Sequence, residues 1–125
     1  MSRHILAPAA VADIEAILTR TEEQFGSQAR IRYQALLIRA IADVADRPNR
    51  GGSRARAELA ASARTYHLDH SKNHVTVAAG RVKRPRHFLL YRVRNDGIVE
   101  IGRVLHDSMD LRRHLPDAYQ AESED

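Results

Sequence analysis

The chain has 125 residues, 43% hydrophobic and 29% charged, a length that suits one domain whose core needs no covalent staples. It contains no cysteine, which excludes disulfides and thiolate metal sites. The net charge of +4 is uneven: residues 1–49 balance six bases against six acids, residues 50–115 carry fourteen bases and six acids, and the last ten carry four acids alone. Positive potential on the middle and C-terminal structure would attract an acidic partner or nucleic acid.

In chain order, "ILAPAAVA" comes first and imitates a signal peptide. Its apolar run is only eight residues, is broken by Pro8 and is followed at once by Asp13 and Glu15. It reads as a strand over 3–6 entering a helix, with Pro8 in the first turn where its missing N–H is no loss. No segment reaches the length of a membrane span, so a cytoplasmic chain is expected. Val11, Ile14, Leu18, Thr21 and Phe25 recur at helical spacing, extending the helix through about Gln24. Gly26 is placed to end it and Ser27 to cap the next. The second helix runs to about Asp46, with Tyr33, Leu37, Ala40, Ile41 and Val44 on one side. Ile31 and Ile38 widen its apolar surface enough to suggest packing on more than one element. Pro48 and Gly51-Gly52 stop it.

Residues 49–63 read as a basic, small-residue connection with a helical turn near Ala57–Ala63. "RTYHLDH" (64–70) reads as a strand and 71–86 as a long loop or extended hairpin. "HFLLYRV" and "IVEIGRVLH" are the strongest strand signals, joined by "NDG" (95–97). A three-residue loop there pairs Val93 with Val99, Tyr91 with Ile101 and Arg92 with Glu100, matching like with like and opposite charges. "DSMDLRRHL" after His106 reads as a short turn or helix capped by Asp107 or Ser108. The acidic residues 117–125 are expected to fray beyond a single domain of residues 1–116. The fold expected is α+β: an N-terminal helical hairpin on one face of a small, mainly antiparallel sheet, the other face left free to bind.

"HFLLYRV" with "DGIVEIGRVLHDSMDLRRHLP" resembles the C-terminal half of the ParE branch of the RelE/ParE toxin superfamily, from bacterial toxin–antitoxin and plasmid-stabilisation systems. "LAPAAVADIEAI" is similar to the family's opening strand and helix, and "RYQALLIRAIADVADRP" to its second helix. The resemblance covers about residues 4–116; the basic 71–86 segment is longer than in many members. It implies a toxin neutralised by a ParD-type antitoxin wrapping the sheet and helices. RelE-like members cut messenger RNA on the ribosome without metal, whereas ParE-like members poison DNA gyrase.

Metal-free RNA cleavage needs a base, an acid and cations around the phosphate. His106 ends the last strand, where ribonuclease members similar in fold often place a catalytic group, and Arg92 and Arg103 lie on neighbouring strands. Against cutting, Arg92 has a strand partner in Glu100, Asp107 stands where a Tyr or other proton-transfer group would follow, and Lys72 and Lys83 are the only lysines. Binding without catalysis is therefore the expectation. The candidate contacts for antitoxin or target are Arg64, Arg81, Lys83, Arg84, Arg86, Arg92, Arg103, His106, Asp110 and Arg113. His67 and His70 form H-x-x-H, with His74 nearby, but that spacing suits zinc on a helix rather than on a strand. "RGGSR" lacks the spacing of a phosphate loop. No metal or cofactor is expected.

Overall fold

A single glycine separates the two long helices in the computed structural model, which describes residues 3–76, 78, 80–116 and 119. Strand β1 (His4–Leu6) leads into α1 (Pro8–Phe25), and α2 follows over Ser27–Asp46. Gly26, at φ 92°, closes α1 through its N–H to the Glu22 carbonyl and is also the N-cap of α2. A side chain at that φ would be strained, so glycine permits the immediate reversal. Ser27 is thus the first residue of α2 and makes no side-chain capping bond, contrary to the capping role expected of it.

Strands β2 (Arg54–Ala55), β3 (Ala63–His67), β4 (His87–Val93) and β5 (Val99–His106) complete a five-stranded sheet in the order β1-β5-β4-β3-β2. Only the β1–β5 pairing is parallel. Between β4 and β5 the register pairs Val93 with Val99, Arg92 with Glu100 and Tyr91 with Ile101, as the side-chain pattern indicated. The Arg94 N–H meets the Ile98 carbonyl at 2.9 Å, closing the three-residue loop. Beyond that the ladder slips: Leu90 faces Arg103, so Gly102 is an extra residue in β5.

The helical hairpin packs on one face. Leu36, Leu37, Ala40 and Val44 of α2, with Ala10 and Leu18 of α1, meet Tyr66, Leu89, Tyr91, Val99, Ile101 and Val104 from the sheet. Each fully buried large apolar side chain here contributes about 1.5–3 kcal/mol. Helix α2 does pack on more than one element, meeting α1, β5 and the Leu68–His74 segment, but through its other residues: Ile31 and Ile38 lie outside this core, 47% and 61% exposed.

The opposite face is not free. Ala60, Ala63, Leu90 and Tyr119 form a second buried cluster, with Leu115 against it, and the Tyr119 ring lies 4.8 Å from the Arg92 guanidinium. A Cβ on Gly102 would come within 2.7 Å of Tyr119 Oη and 3.0 Å of Pro116 Cγ. The bulge and the missing side chain let Pro116 and Tyr119 lie against the sheet.

Three local expectations change. The third strand ends at His67, and Leu68–His74 form a 3₁₀ helix that buries Leu68 and Ser71. From Val75 to Arg86 the described residues form no strand, so no extended hairpin is present. Neither Asp107 nor Ser108 caps the 3₁₀ turn at Leu111–Arg113: Asp107 takes Arg86, and Ser108 donates its N–H to His106. The expected turn within 57–63 is present, with Leu59 and Ala60 N–H both reaching the Arg56 carbonyl. The acidic tail expected to fray lies outside the described residues except for Tyr119.

Candidate functional site: a basic groove

A groove of about 1240 Å³ opens between α1, the 80–86 segment and the end of β5. Helix α1 contributes Asp13, Ile17, Arg20, Thr21 and Phe25 at three- and four-residue spacing, so they share one face of the helix. Helix α2 contributes Arg32 and Tyr33, the strands His87, Arg103, Val104 and His106, and the C-terminal turn Met109 and His114. Seven arginine or lysine side chains line the groove and one carboxylate, Asp13, joins them. Its apolar lining includes Phe25, 72% exposed, and Met109, 45% exposed.

At the inner corner three aromatic rings meet. Tyr33 Oη lies 2.6 Å from His87 Nδ1 and accepts the Arg86 backbone N–H at 3.3 Å. The phenol has one proton and two lone pairs, so either its own proton or an Nδ1 proton of His87 can fill this contact. The ring of His106 stands edge-on to His87 with centroids 5.3 Å apart. His106 Nδ1 accepts the Ser108 N–H at 3.1 Å, which leaves its neutral-form proton on Nε2. Burial, reinforced by the neighbouring His106, pushes the His87 pKa down to about 4, so His87 is neutral at physiological pH. Burial also pushes the Tyr33 hydroxyl up to about 12.

The acids nearby are already committed. Asp13 receives Arg103 Nε and Nη2 at 2.7 and 2.9 Å and the Val104 N–H at 2.9 Å. A carboxylate from α1 thus caps an open β5 amide while fixing a cation, and its hydrogen bonds hold the Arg103 guanidinium above its ordinary pKa. Asp107 receives Arg86 Nε and Nη2 at 3.0 and 2.8 Å and lies 3.1 Å from His67 Nε2. The Arg86 hydrogen bond is the main cause of its pKa lying well below the usual carboxylate range.

The groove therefore gathers Arg81, Lys83, Arg84, Arg86, Arg103 and His106 from the expected contacts. Arg81 also donates to the Val75 carbonyl at 3.0 Å. Arg64 and Arg92 lie elsewhere. Arg64 donates to Ser53 Oγ at 2.7 Å, while Arg92 pairs with Glu100 at 3.1 Å and stacks against Tyr119 in the second cluster. Asp110 and Arg113 form an exposed pair at 3.8 Å. The trio His106, Arg92 and Arg103 is consequently not assembled: Arg92 belongs to the Tyr119 side and Arg103 is held by Asp13. The H-x-x-H pair and the nearby His74 likewise diverge, His67 to Asp107, the His70 ring to Tyr66, and His74 to Asp43.

Sequence reasoning did not place Asp13, Arg20, Arg32 or Tyr33 at the site. The only available signal was the polar run Asp13, Arg20, Thr21 beside the apolar stripe of α1.

A family model described as the ParE toxin of the type II toxin–antitoxin system parDE matches residues 5–111. The chain belongs to the ParE toxin family. The chain is 33% identical to Toxin ParE1 of Mycobacterium tuberculosis over 114 residues, which cover 91% of this chain and 98% of that protein, in each of two strains. The resemblance in "YR…DG…I.RVLH" thus extends through the whole fold. As a ParE toxin this protein is the toxin component of a type II system and has an antitoxin for a partner. No helix among the described residues is long and apolar enough to cross a membrane.

Proposed function

We propose that this toxin acts by binding rather than by cutting: a cytoplasmic, single-domain protein of residues 1–116 that poisons DNA gyrase and is neutralised by a ParD-type antitoxin. The observation that carries the binding reading is the groove, with cations around an apolar floor. Such a surface suits an acidic amphipathic peptide segment, whose apolar side chains cover Phe25 and Met109 while its carboxylates meet the arginines. Gyrase as target is carried over from the family and supported by the absence of an assembled His106–Arg92–Arg103 trio. No metal or cofactor enters the proposal.

Inducing the protein in a bacterial host tests this reading. Cells are expected to stop dividing, filament and show DNA damage while their messenger RNA stays intact, and co-expressed antitoxin is expected to restore growth. Binding of the antitoxin also raises the melting temperature, since it engages only the folded toxin. Codon-phased messenger RNA fragments without DNA damage would support the ribonuclease branch instead.

A further inference from the structure

Strand β1 covers only part of the outer edge of β5. Its pairing stops with Leu6 opposite Ile101, whereas β5 runs on to His106. The ladder with β4 decides which backbone groups that bare stretch turns outward. The Asp107 N–H donates to the Arg86 carbonyl at 2.8 Å, so residue 107 faces β4. Orientation alternates along a strand, so Leu105 faces β4 as well, while Val104 and His106 turn their N–H and C=O groups to the outer edge. The Asp13 carboxylate accepts the Val104 N–H from that edge at 2.9 Å, which fixes the same parity independently. Two of the four outward groups are therefore taken, the Val104 N–H by Asp13 and the His106 carbonyl by the Met109 N–H at 3.0 Å. The Val104 carbonyl and the His106 N–H have no hydrogen-bond partner among the described residues. Both residues line the basic groove.

We infer that an extended segment of the antitoxin adds to this edge as a parallel strand in line with β1. One of its residues donates its N–H to the Val104 carbonyl and accepts the His106 N–H. This pairing rests on the proposed occupation of the groove by an acidic antitoxin segment, and it gives that segment a conformation and a register. An open sheet edge is a template for such strand addition. A parallel neighbour makes both bonds from a single residue, to the groups on either side of the residue opposite, here Leu105. Strand β1 meets the same edge in this sense, with the Val99 N–H on the Arg3 carbonyl at 3.2 Å and the Ala7 N–H on the Ile101 carbonyl at 2.9 Å. An antiparallel segment would instead call on both groups of Val104 or both groups of His106, and each residue has one already bonded. The side chains flanking the bridging residue then fall on the side of Val104 and His106, toward the groove. There an apolar one can cover Ile17, and an acidic one can meet Arg20 or Arg84.

Amide hydrogen exchange followed by NMR, on the free toxin and on its purified complex with the antitoxin, tests the pairing. In the free toxin the His106 N–H is expected to exchange faster than those of Leu105 and Val104, whose acceptors are β4 and Asp13. In the complex it is expected to slow about a hundredfold, since exchange then requires the added strand to open. Leu105 and Val104 should change little. Cross-strand contacts from the His106 N–H to an antitoxin Hα, without a close Hα–Hα contact, identify the parallel sense. A His106 N–H as slow as that of Leu105 in the free toxin overturns the open edge. Unchanged His106 exchange in the complex, beside shifts at Ile17, Val82 and Met109, overturns the added strand and leaves the groove reading standing. No shifts at those three residues overturn both. Close Hα–Hα contacts across β5 overturn the parallel register.

Discussion

Replacing Asp43 by Asn is expected to be among the most damaging single changes outside the apolar core. Its carboxylate, 8% exposed, accepts Ser71 Oγ at 2.6 Å, His74 Nδ1 at 2.9 Å and Arg39 Nε at 3.0 Å, with Arg50 Nη1 3.6 Å away. Ser71 also meets Tyr66 Oη at 2.8 Å, and Arg50 reaches the Asp43 carbonyl at 3.1 Å. One side chain thus ties α2 to the 3₁₀ helix, to β3 and to the turn that ends α2. Asn keeps the shape but removes the charge, and its NH₂ would face donors. Losing one or two charge-assisted hydrogen bonds at about 1.5–3 kcal/mol each gives roughly 3 kcal/mol, toward the low end for a broken buried pair because Arg39 is 43% exposed. For a domain of this size that corresponds to a fall in Tm of roughly 10 °C. Burial alone would raise the Asp43 pKa, but Ser71, His74, Arg39 and Arg50 outweigh it and the folded value is lowered. The stabilisation is therefore complete above the unfolded value of about 3.9 and is lost as pH falls through the lower folded value. Urea unfolding of wild type and variant between pH 3 and pH 7 measures both effects. A difference below about 0.5 kcal/mol at pH 7, or one that does not shrink in acid, would refute the reasoning.

Other expectations follow from the same contacts. Arg103→Ala should cost about 2–3 kcal/mol in denaturant unfolding, since it leaves Asp13 with only the Val104 N–H. Gly102→Val should cost about 1–3 kcal/mol by displacing Tyr119 from the sheet, and replacing Tyr119 by Ala in that background should add less than it does alone. The exposed Arg94–Asp96 pair, at 2.9 Å, should contribute less than about 1 kcal/mol when Arg94→Ala is measured in the same way.

Much of this fold could be read in the sequence because the signals were local. The β4–β5 register followed from matching Val93, Tyr91 and Arg92 to partners a few residues away, and both helices from their apolar period. What escaped reading depends on contacts between distant residues. Gly102 signalled a bulge only as an isolated glycine in a strand pattern, and its partner Tyr119 lies beyond two turns of irregular chain. Small residues such as Ala60 and Ala63 gave no hint of a second cluster. At the site, the basic 80–86 segment and His106 were legible as charge and position. Tyr33 and His87 were not, because 54 positions separate them and each alone fits an ordinary core residue. Arg92 and Arg103, alike in sequence context, part company because one finds Glu100 across the strand and the other Asp13 on a helix.

Supercoiling of relaxed plasmid by purified gyrase, with increasing amounts of antitoxin-free toxin, tests most directly whether this protein holds rather than cuts. The expected result is a dose-dependent loss of supercoiling with linear, gyrase-cleaved DNA released on protein digestion, and its reversal by antitoxin. Normal supercoiling at every dose, from toxin that arrests growth and degrades ribosome-bound messenger RNA, would contradict it.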